Sequence, residues 1–243
     1  MIASLEQITK YYGAELILDH VSLKIEDQDR IGLIGVNGAG KSTAIKMLCA
    51  LVSPTDGDAI LLGRSVVRQP EAVKAILGVC PQETAVAPNL TVEENLALMA
   101  GMHGLEKAQR RKQTARMVEQ FGLTEVGKTR AKNLSSGFQR RLSIAMALIS
   151  SPEILFLDEP TLGLDVVARR ELWKIMENLK GSVTMILTTH YLEEAEALSD
   201  RIGIMAKGKL KAVGTAAELI EKTGAKNFED AFLLLCGEEA LVE

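Results

Sequence analysis

Nine consecutive residues make the first chemical suggestion. Gly35-Val36-Asn37-Gly38-Ala39-Gly40-Lys41-Ser42 fits the spacing G-x-x-x-x-G-K-[ST], with Thr43 continuing into a helix former. Such a loop turns successive backbone N–H groups inward, where they hold phosphate oxygens. A Cβ at the glycine positions would crowd the anion or resist the positive φ values required. The helix that follows adds the positive end of its dipole. Lys41 supplies a mobile charge for a polyphosphate, and the Ser42 hydroxyl is a candidate Mg²⁺ ligand. The loop therefore points to a bound nucleoside polyphosphate.

A second cluster is Ile154-Leu-Phe-Leu-Asp158-Glu159-Pro160. A buried strand ending in a carboxylate would place Asp158 beside the metal ion, and Glu159 would then serve as general base for water attacking the γ-phosphate. The bland alternative is an acidic turn before Pro160. A third is "NLSSGFQRRLSIAMALISSP", where Ser135, Ser136 and the N–H groups near Gly137 could form a further anion site at a helix start. A plain N-cap explains the same residues. His190 after "VTMILTT", Gln82 after Pro81, and Tyr12 before Gly13 complete the candidate set. Each has an ordinary reading too: a strand-end histidine, a surface glutamine, and a tyrosine exchangeable with Tyr11.

These residues need rigid supports. "HVSLKIED" alternates apolar and polar residues as a half-buried antiparallel strand does, whereas "RIGLIG" is continuously apolar, as in a strand covered on both faces. Thr43–Leu51 reads as the helix after the loop. "DAILLG" and "AILGVC" read as strands. Thr91-Val-Glu-Glu94 is a capping box, and from Thr91 to Ile149 the pattern is helical, with Gly101, Gly104 and Gly122 as breaks. Strands return in "EILFLDEP" and "VTMILTTH", separated by a helix over about Val166–Leu179. A hairpin turns near Lys207-Gly208, and Asn227 caps a last helix, "NFEDAFLLLC". The expectation is one domain: a core of about 1–84 and 153–215, an all-helical insertion of about 85–152, and a tail of about 216–243.

Composition narrows the classes. Among 243 residues, 47% are hydrophobic and 25% charged, in the range of a globular protein. The net charge of -4 argues against a nucleic-acid binder, and the basic run around Arg110 reads as a solvated helix face. Three scattered cysteines, Cys49, Cys80 and Cys236, suit a reducing cytosol rather than a disulfide framework. The first thirty residues mix Glu6, Lys10, Glu15 and Asp19 with apolar residues, unlike a secretory leader, and no apolar run approaches the ~18 residues of a membrane span.

Taken in order, the motifs resemble those of the nucleotide-binding domain of an ABC transporter. "LSSGF" stands where that family has LSGGQ, "CPQE" carries its Q-loop glutamine as Gln82, "TLGLD" from Thr161 to Asp165 matches its D-loop, and His190 its switch histidine. Tyr12 matches the aromatic residue that stacks on adenine. Ser136 and Phe138 depart from the family pattern, which bears on the strength of the signature contact and not on the fold. The resemblance implies an α/β fold: a P-loop NTPase core with an N-terminal antiparallel β subdomain and an inserted helical lobe. It implies ATP with Mg²⁺, held by Ser42, Gln82 and Asp158, and an ATPase using Glu159, His190 and Gln82. It also implies a head-to-tail homodimer or heterodimer in which Ser135, Ser136 and Gly137 of one subunit reach the ATP of the other. An integral membrane permease would be the transport partner, and the chain would sit in the cytoplasm against the inner face of the membrane. The tail and "PNLTVEENLALMAGMHGL" are similar to bacterial exporters of drugs, lipids, antibiotics or sodium. The alternatives are a soluble ABC ATPase and the ATPase of a non-transport membrane machine.

Overall fold

A computed structural model describes residues 1–237. Along the chain run β1 (Ala3–Tyr12), β2 (Glu15–Ile25), β3 (Arg30–Ile34), α1 (Lys41–Leu48), β4 (Asp56–Leu61), β5 (Arg64–Ser65), α2 (Pro70–Lys74) and β6 (Leu77–Cys80). There follow α3 (Val92–Met102), α4 (Lys107–Gln120), α5 (Ser136–Leu148), β7 (Ile154–Asp158) and α6 (Val166–Glu177). The last elements are β8 (Thr184–Thr189), α7 (Leu192–Leu198), β9 (Arg201–Ala206), β10 (Lys209–Gly214), α8 (Ala216–Thr223) and α9 (Phe228–Cys236). They form two compact units, one of residues 1–77 with 184–237 and one of residues 78–183.

In the first unit an antiparallel sheet has the order β2-β1-β4-β5. β1 pairs with β2 from Ala3↔Ile25 to Tyr12↔Glu15, with register shifts on the way. Those shifts, with Gln7 at φ 53, break the two-residue alternation and hide β1 from a periodicity reading. A second set of strands runs β10-β9-β3-β8. β3 is parallel to both neighbours, with Ile34 opposite Thr189 on β8 and Ile204 on β9. All five residues of β3 are buried, as its continuous apolar run predicts. Its one charged member, Arg30, is paired with Asp200 through Nη2–Oδ1 at 3.0 Å and Nε–Oδ2 at 3.2 Å, which offsets its desolvation. The β9–β10 hairpin turns at Lys207 (φ 48) and Gly208 (φ 71). The tail packs onto this hairpin: Leu219 of α8 and Phe228 and Cys236 of α9 share a core with Ile34, Ile202, Ile204 and Ala212. Asn227 caps α9 by accepting from the Asp230 N–H at 2.8 Å. The part of the tail from residue 238 lies outside the described residues.

In the second unit β7 lies beside β6, and every residue of β7 is buried. Helix α5 lies so close to β6 that a Cβ on Gly78 would stand 2.3 Å from the Ala147 carbonyl oxygen. The Thr91 capping box opens α3, with Thr91 accepting from Glu94 N–H and Glu94 Oε2 accepting from Thr91 N–H. Buried Asn95 then ties down the preceding loop, donating to the carbonyls of Ala87, Leu90 and Thr91 and accepting from the Ala87 N–H. Two helix boundaries differ from expectation. Helix α1 begins at Lys41 rather than Thr43, because Gly40 at φ 98 ends the loop just before it. Gly101 does not break α3, which runs through it to Met102; the breaks fall at Gly104 and Gly122, both at positive φ. Gly101 instead gives the Arg110 guanidinium of α4 a surface to pack on, since a Cβ there would lie 3.0 Å from Arg110 Cζ.

Candidate functional site

The first unit carries the glycine-rich loop at the end of β3. Two glycines are there for packing as well as conformation. A Cβ on Gly35 would lie 2.2 Å from the Met205 carbonyl oxygen of β9, and one on Gly40 would lie 2.5 Å from Leu18 Cδ2 of β2. Gly38 has open space around it, and its φ of 79 is what calls for glycine. The Gly208 N–H donates to the Ala39 carbonyl at 3.2 Å, so the β9–β10 turn braces the loop. Lys41, although buried, donates to the carbonyls of Gly35 at 2.7 Å and Val36 at 3.3 Å. Its ammonium therefore stands against the start of the loop, at the Gly35 and Val36 carbonyls. Ser42 and Thr43 are half-buried in the first turn of α1.

His190 follows β8, whose last residue, Thr189, is in register with Ile34 at the end of β3. The loop and the histidine thus leave adjacent parallel strands at the same end. That is where side chains converge in open α/β sheets. His190 is exposed, its ring 4.1 Å from that of Tyr191 at 42°. Tyr12 ends β1 and is 48% exposed, with the Lys10 ammonium 5.0 Å from its ring centroid. Tyr11 is 42% exposed, so exposure does not separate the two.

The second unit carries the acidic residues. Asp158 ends β7, and Asp158 and Glu159 are both buried. Glu159 has φ 48, left-handed backbone that a non-glycine residue adopts at a cost. Ser135 caps α5, its Oγ accepting from the Phe138 N–H at 3.4 Å. Ser135 and Ser136 are exposed and Gly137 is buried. The two middle positions of "LSSGF" thus differ physically. A Cβ on Gly137 would lie 3.0 Å from Ala168 Cβ of α6, whereas Ser136 faces outward and is tolerated. Phe138 has a new partner, the Arg141 guanidinium 5.1 Å from its ring centroid, and Arg141 also pairs with Glu171. Asp165, at the end of "TLGLD", caps α6 by accepting from the N–H groups of Val167 and Ala168.

One residue escaped the sequence reading. Arg140 of α5 is 4% exposed and donates to five backbone carbonyls: Pro81 and Gln82 on one side, Asp158, Glu159 and Pro160 on the other. Gln82, whose side chain is exposed, has its backbone fixed this way. The available signal was helical spacing. Gly137, Arg140, Ile144 and Ala147 fall on one buried stripe of α5, and a charge on such a stripe demands a partner.

A family model described as "ABC transporter" matches residues 18–162. The chain belongs to the ABC transporter family. It is 43% identical over 220 residues to the doxorubicin resistance ATP-binding protein DrrA of Mycobacterium tuberculosis, covering 89% of this chain and 66% of that relative. The chain thus spans just under two thirds of that relative's length. A solved structure of the ATP binding subunit of an ABC transporter superposes with a TM-score of 0.87 at 28% identity, covering 98% of this chain and 100% of that one. The dimeric structure of a bacterial ABC transporter cassette gives 0.78 at 25%, covering 88% and 98%. The fold is that of an ABC transporter ATP-binding subunit, and no described helix is long and apolar enough to cross a membrane.

The acids do not form a preassembled metal cage: among the described residues no three His, Cys, Asp or Glu side chains gather as a metal group. The Ser42 hydroxyl, the Gln82 amide and the Asp158 carboxylate are each oxygen donors of the kind that suits Mg²⁺ rather than a transition metal.

Proposed function

We propose that this chain binds ATP with Mg²⁺ and hydrolyses it as the ATP-binding subunit of a membrane exporter. The observation that carries this reading is the buried pair Asp158–Glu159 at the end of an all-buried strand, in a chain whose other unit holds a phosphate loop around Lys41. Lys41 and the loop N–H groups from Gly35 to Thr43 bind the β- and γ-phosphates, and Tyr12 stacks on the base. Ser42, Gln82 and Asp158 hold Mg²⁺, which when bound neutralises charge on the phosphate oxygens. Glu159 takes a proton from the attacking water as its oxygen adds to the γ-phosphorus; the bond from that phosphorus to the β–γ bridging oxygen breaks, ADP leaves with the electron pair, and His190 and Gln82 orient the water and the γ-phosphate it attacks.

Neither unit offers an arginine finger by sequence, so the developing charge calls for another donor. Ser135, Ser136 and the N–H of Gly137 at the exposed start of α5 supply it to the ATP of a second subunit, in a head-to-tail dimer. The dimeric relative supports pairing of such cassettes. The drug-resistance name of the Mycobacterium relative supports export through a separate integral membrane permease. The chain then works in the cytoplasm at the inner membrane face, its core of about 1–84 and 153–215 binding nucleotide and its lobe of about 85–152 following the signature helix.

Glu159→Gln is the test. Nucleotide affinity stays within about twofold, turnover falls on the order of 10²–10⁴-fold, and an ATP-dependent dimer accumulates on size exclusion. Steady-state hydrolysis near the wild-type rate would remove Glu159 from the reaction.

A further inference from the structure

A guanidinium has five N–H bonds in one plane, and in Arg140 each has a carbonyl. Nε donates to Pro160 O at 2.7 Å; Nη1 donates to Pro81 O at 2.7 Å and Gln82 O at 3.2 Å; Nη2 donates to Asp158 O at 2.9 Å and Glu159 O at 3.1 Å. No carboxylate pairs with Arg140 among the described salt bridges, and its neighbours Cys80 and Ser143 are neutral at ordinary pH, burial pushing the Cys80 thiol up. Five peptide carbonyls meet the charge. That makes it a device for holding backbone.

The backbone it holds is unusual. Asp158, Glu159 and Pro160 present three successive carbonyls to one guanidinium, although neighbouring carbonyls of an extended strand point to opposite sides. The left-handed φ of 48 at Glu159 is what turns them to one side. Glutamate does not favour that conformation, so something must over-determine it. Arg140 does so from the middle of α5, five residues after Ser135 caps the same helix. Its other two bonds run to the chain immediately after β6, around Gln82.

We infer that Arg140 is the positioning residue of the hydrolytic step: it locks Glu159 in its left-handed conformation and ties that conformation to the Gln82 backbone and the signature helix, so the three respond together. The inference rests on the hydrolysis reading above. All five N–H bonds of Arg140 are taken by backbone carbonyls, so its loss acts on the orientation of Glu159 and Gln82 and not on the affinity of the phosphate loop. Lysine has three donors on a point charge and cannot span five carbonyls in a plane.

The experiment compares Arg140→Lys with wild type and with Glu159→Gln. Arg140→Lys is expected to lower kcat at least tenfold while KM and the affinity for ATP stay within twofold. A kcat within twofold of wild type overturns the inference, as does a loss carried by KM. If Arg140→Lys does not fold, Arg140→Ala decides the matter in 5 mM guanidinium against 5 mM methylammonium. Recovery of hydrolysis with guanidinium alone upholds the role; equal response to both cations, or to neither, overturns it. Hydrolysis that Glu159→Gln leaves intact would strike the functional reading itself and take this inference with it.

Discussion

The Lys41 ammonium donates to the Gly35 carbonyl at 2.7 Å, six residues back along the chain. The contact ties the first residue of α1 to Gly35, the first residue after β3, and so fixes the charge against the start of the loop. Lys41→Ala removes the principal cation from a polyphosphate site. Charge-assisted contacts contribute about 1.5–3 kcal/mol, so ATP binding measured by calorimetry is expected to weaken about 10- to 150-fold. Lys41→Arg recovers little, because a planar fork does not fit a buried point-charge position. Unchanged affinity in Lys41→Ala would refute the assignment.

Ser135 is exposed and its cap on α5 is a single 3.4 Å bond, so replacing it costs the fold about 1 kcal/mol at most. Ser135→Arg therefore isolates the proposed intersubunit role. ATP binding at low protein concentration is expected to stay normal, while the ATP-induced dimer of the Glu159→Gln background disappears and hydrolysis falls. Mixing Ser135→Arg with Lys41→Ala gives dimers in which one site bears both lesions and the other neither, and activity rises above either parent alone. Wild-type hydrolysis by Ser135→Arg would reduce "LSSGF" to a helix cap.

Two glycines of the phosphate loop separate packing from conformation. Gly35→Ala drives a methyl to within 2.2 Å of the Met205 carbonyl oxygen, so the β9 backbone must move. Overpacking of this kind costs about 1–3 kcal/mol, and the melting temperature is expected to fall by roughly 2–12 °C. Gly38→Ala meets nothing within 4 Å and bears only its φ of 79. Its cost is about 1–2 kcal/mol, and it falls on the loop and not on β9. Hydrogen exchange distinguishes them: protection around Met205 drops in Gly35→Ala and not in Gly38→Ala.

Cys236 lies in the core that α9 makes with the β9–β10 hairpin, and burial pushes its thiol up to about 11. The folded state therefore holds the proton through neutral pH. At pH 8 the thiolate fraction is about 10⁻³, against roughly a quarter for a free thiol of pKa ≈ 8.5. Alkylation of Cys236 by iodoacetamide in the folded protein is expected to be at least 100-fold slower than that of glutathione at pH 8, and to accelerate as pH rises toward 11. Rapid labelling at pH 8 would mean that α9 does not stay docked.

The local chemistry was written in short spacings. The interval from Gly35 to Ser42, the buried run ending at Asp158-Glu159, the Thr91–Glu94 capping box and the Asn227 cap each depend on neighbours within a few residues, so the sequence alone determined them. Composition and the order of motifs determined the family as well. What failed to read was whatever broke a period or bridged a distance. β1 is masked by its bulges, and Gly101 looked like a helix breaker because its contact with Arg110 lies on another helix.

Arg140 marks the boundary most sharply. Its five acceptors lie 18 to 59 residues away along the chain, on both sides of it, and they are carbonyls that every sequence possesses equally. Nothing in the residue types around it names them. Only the packing of α5 against the ends of β6 and β7 brings those carbonyls into one plane, and only the left-handed turn at Glu159 makes three of them face the same way. The sequence by itself determined which groups stand in the motifs, because their identity is local. Which way Glu159 is held was decided by the tertiary structure, because backbone carbonyls acquire a direction only when the chain is folded.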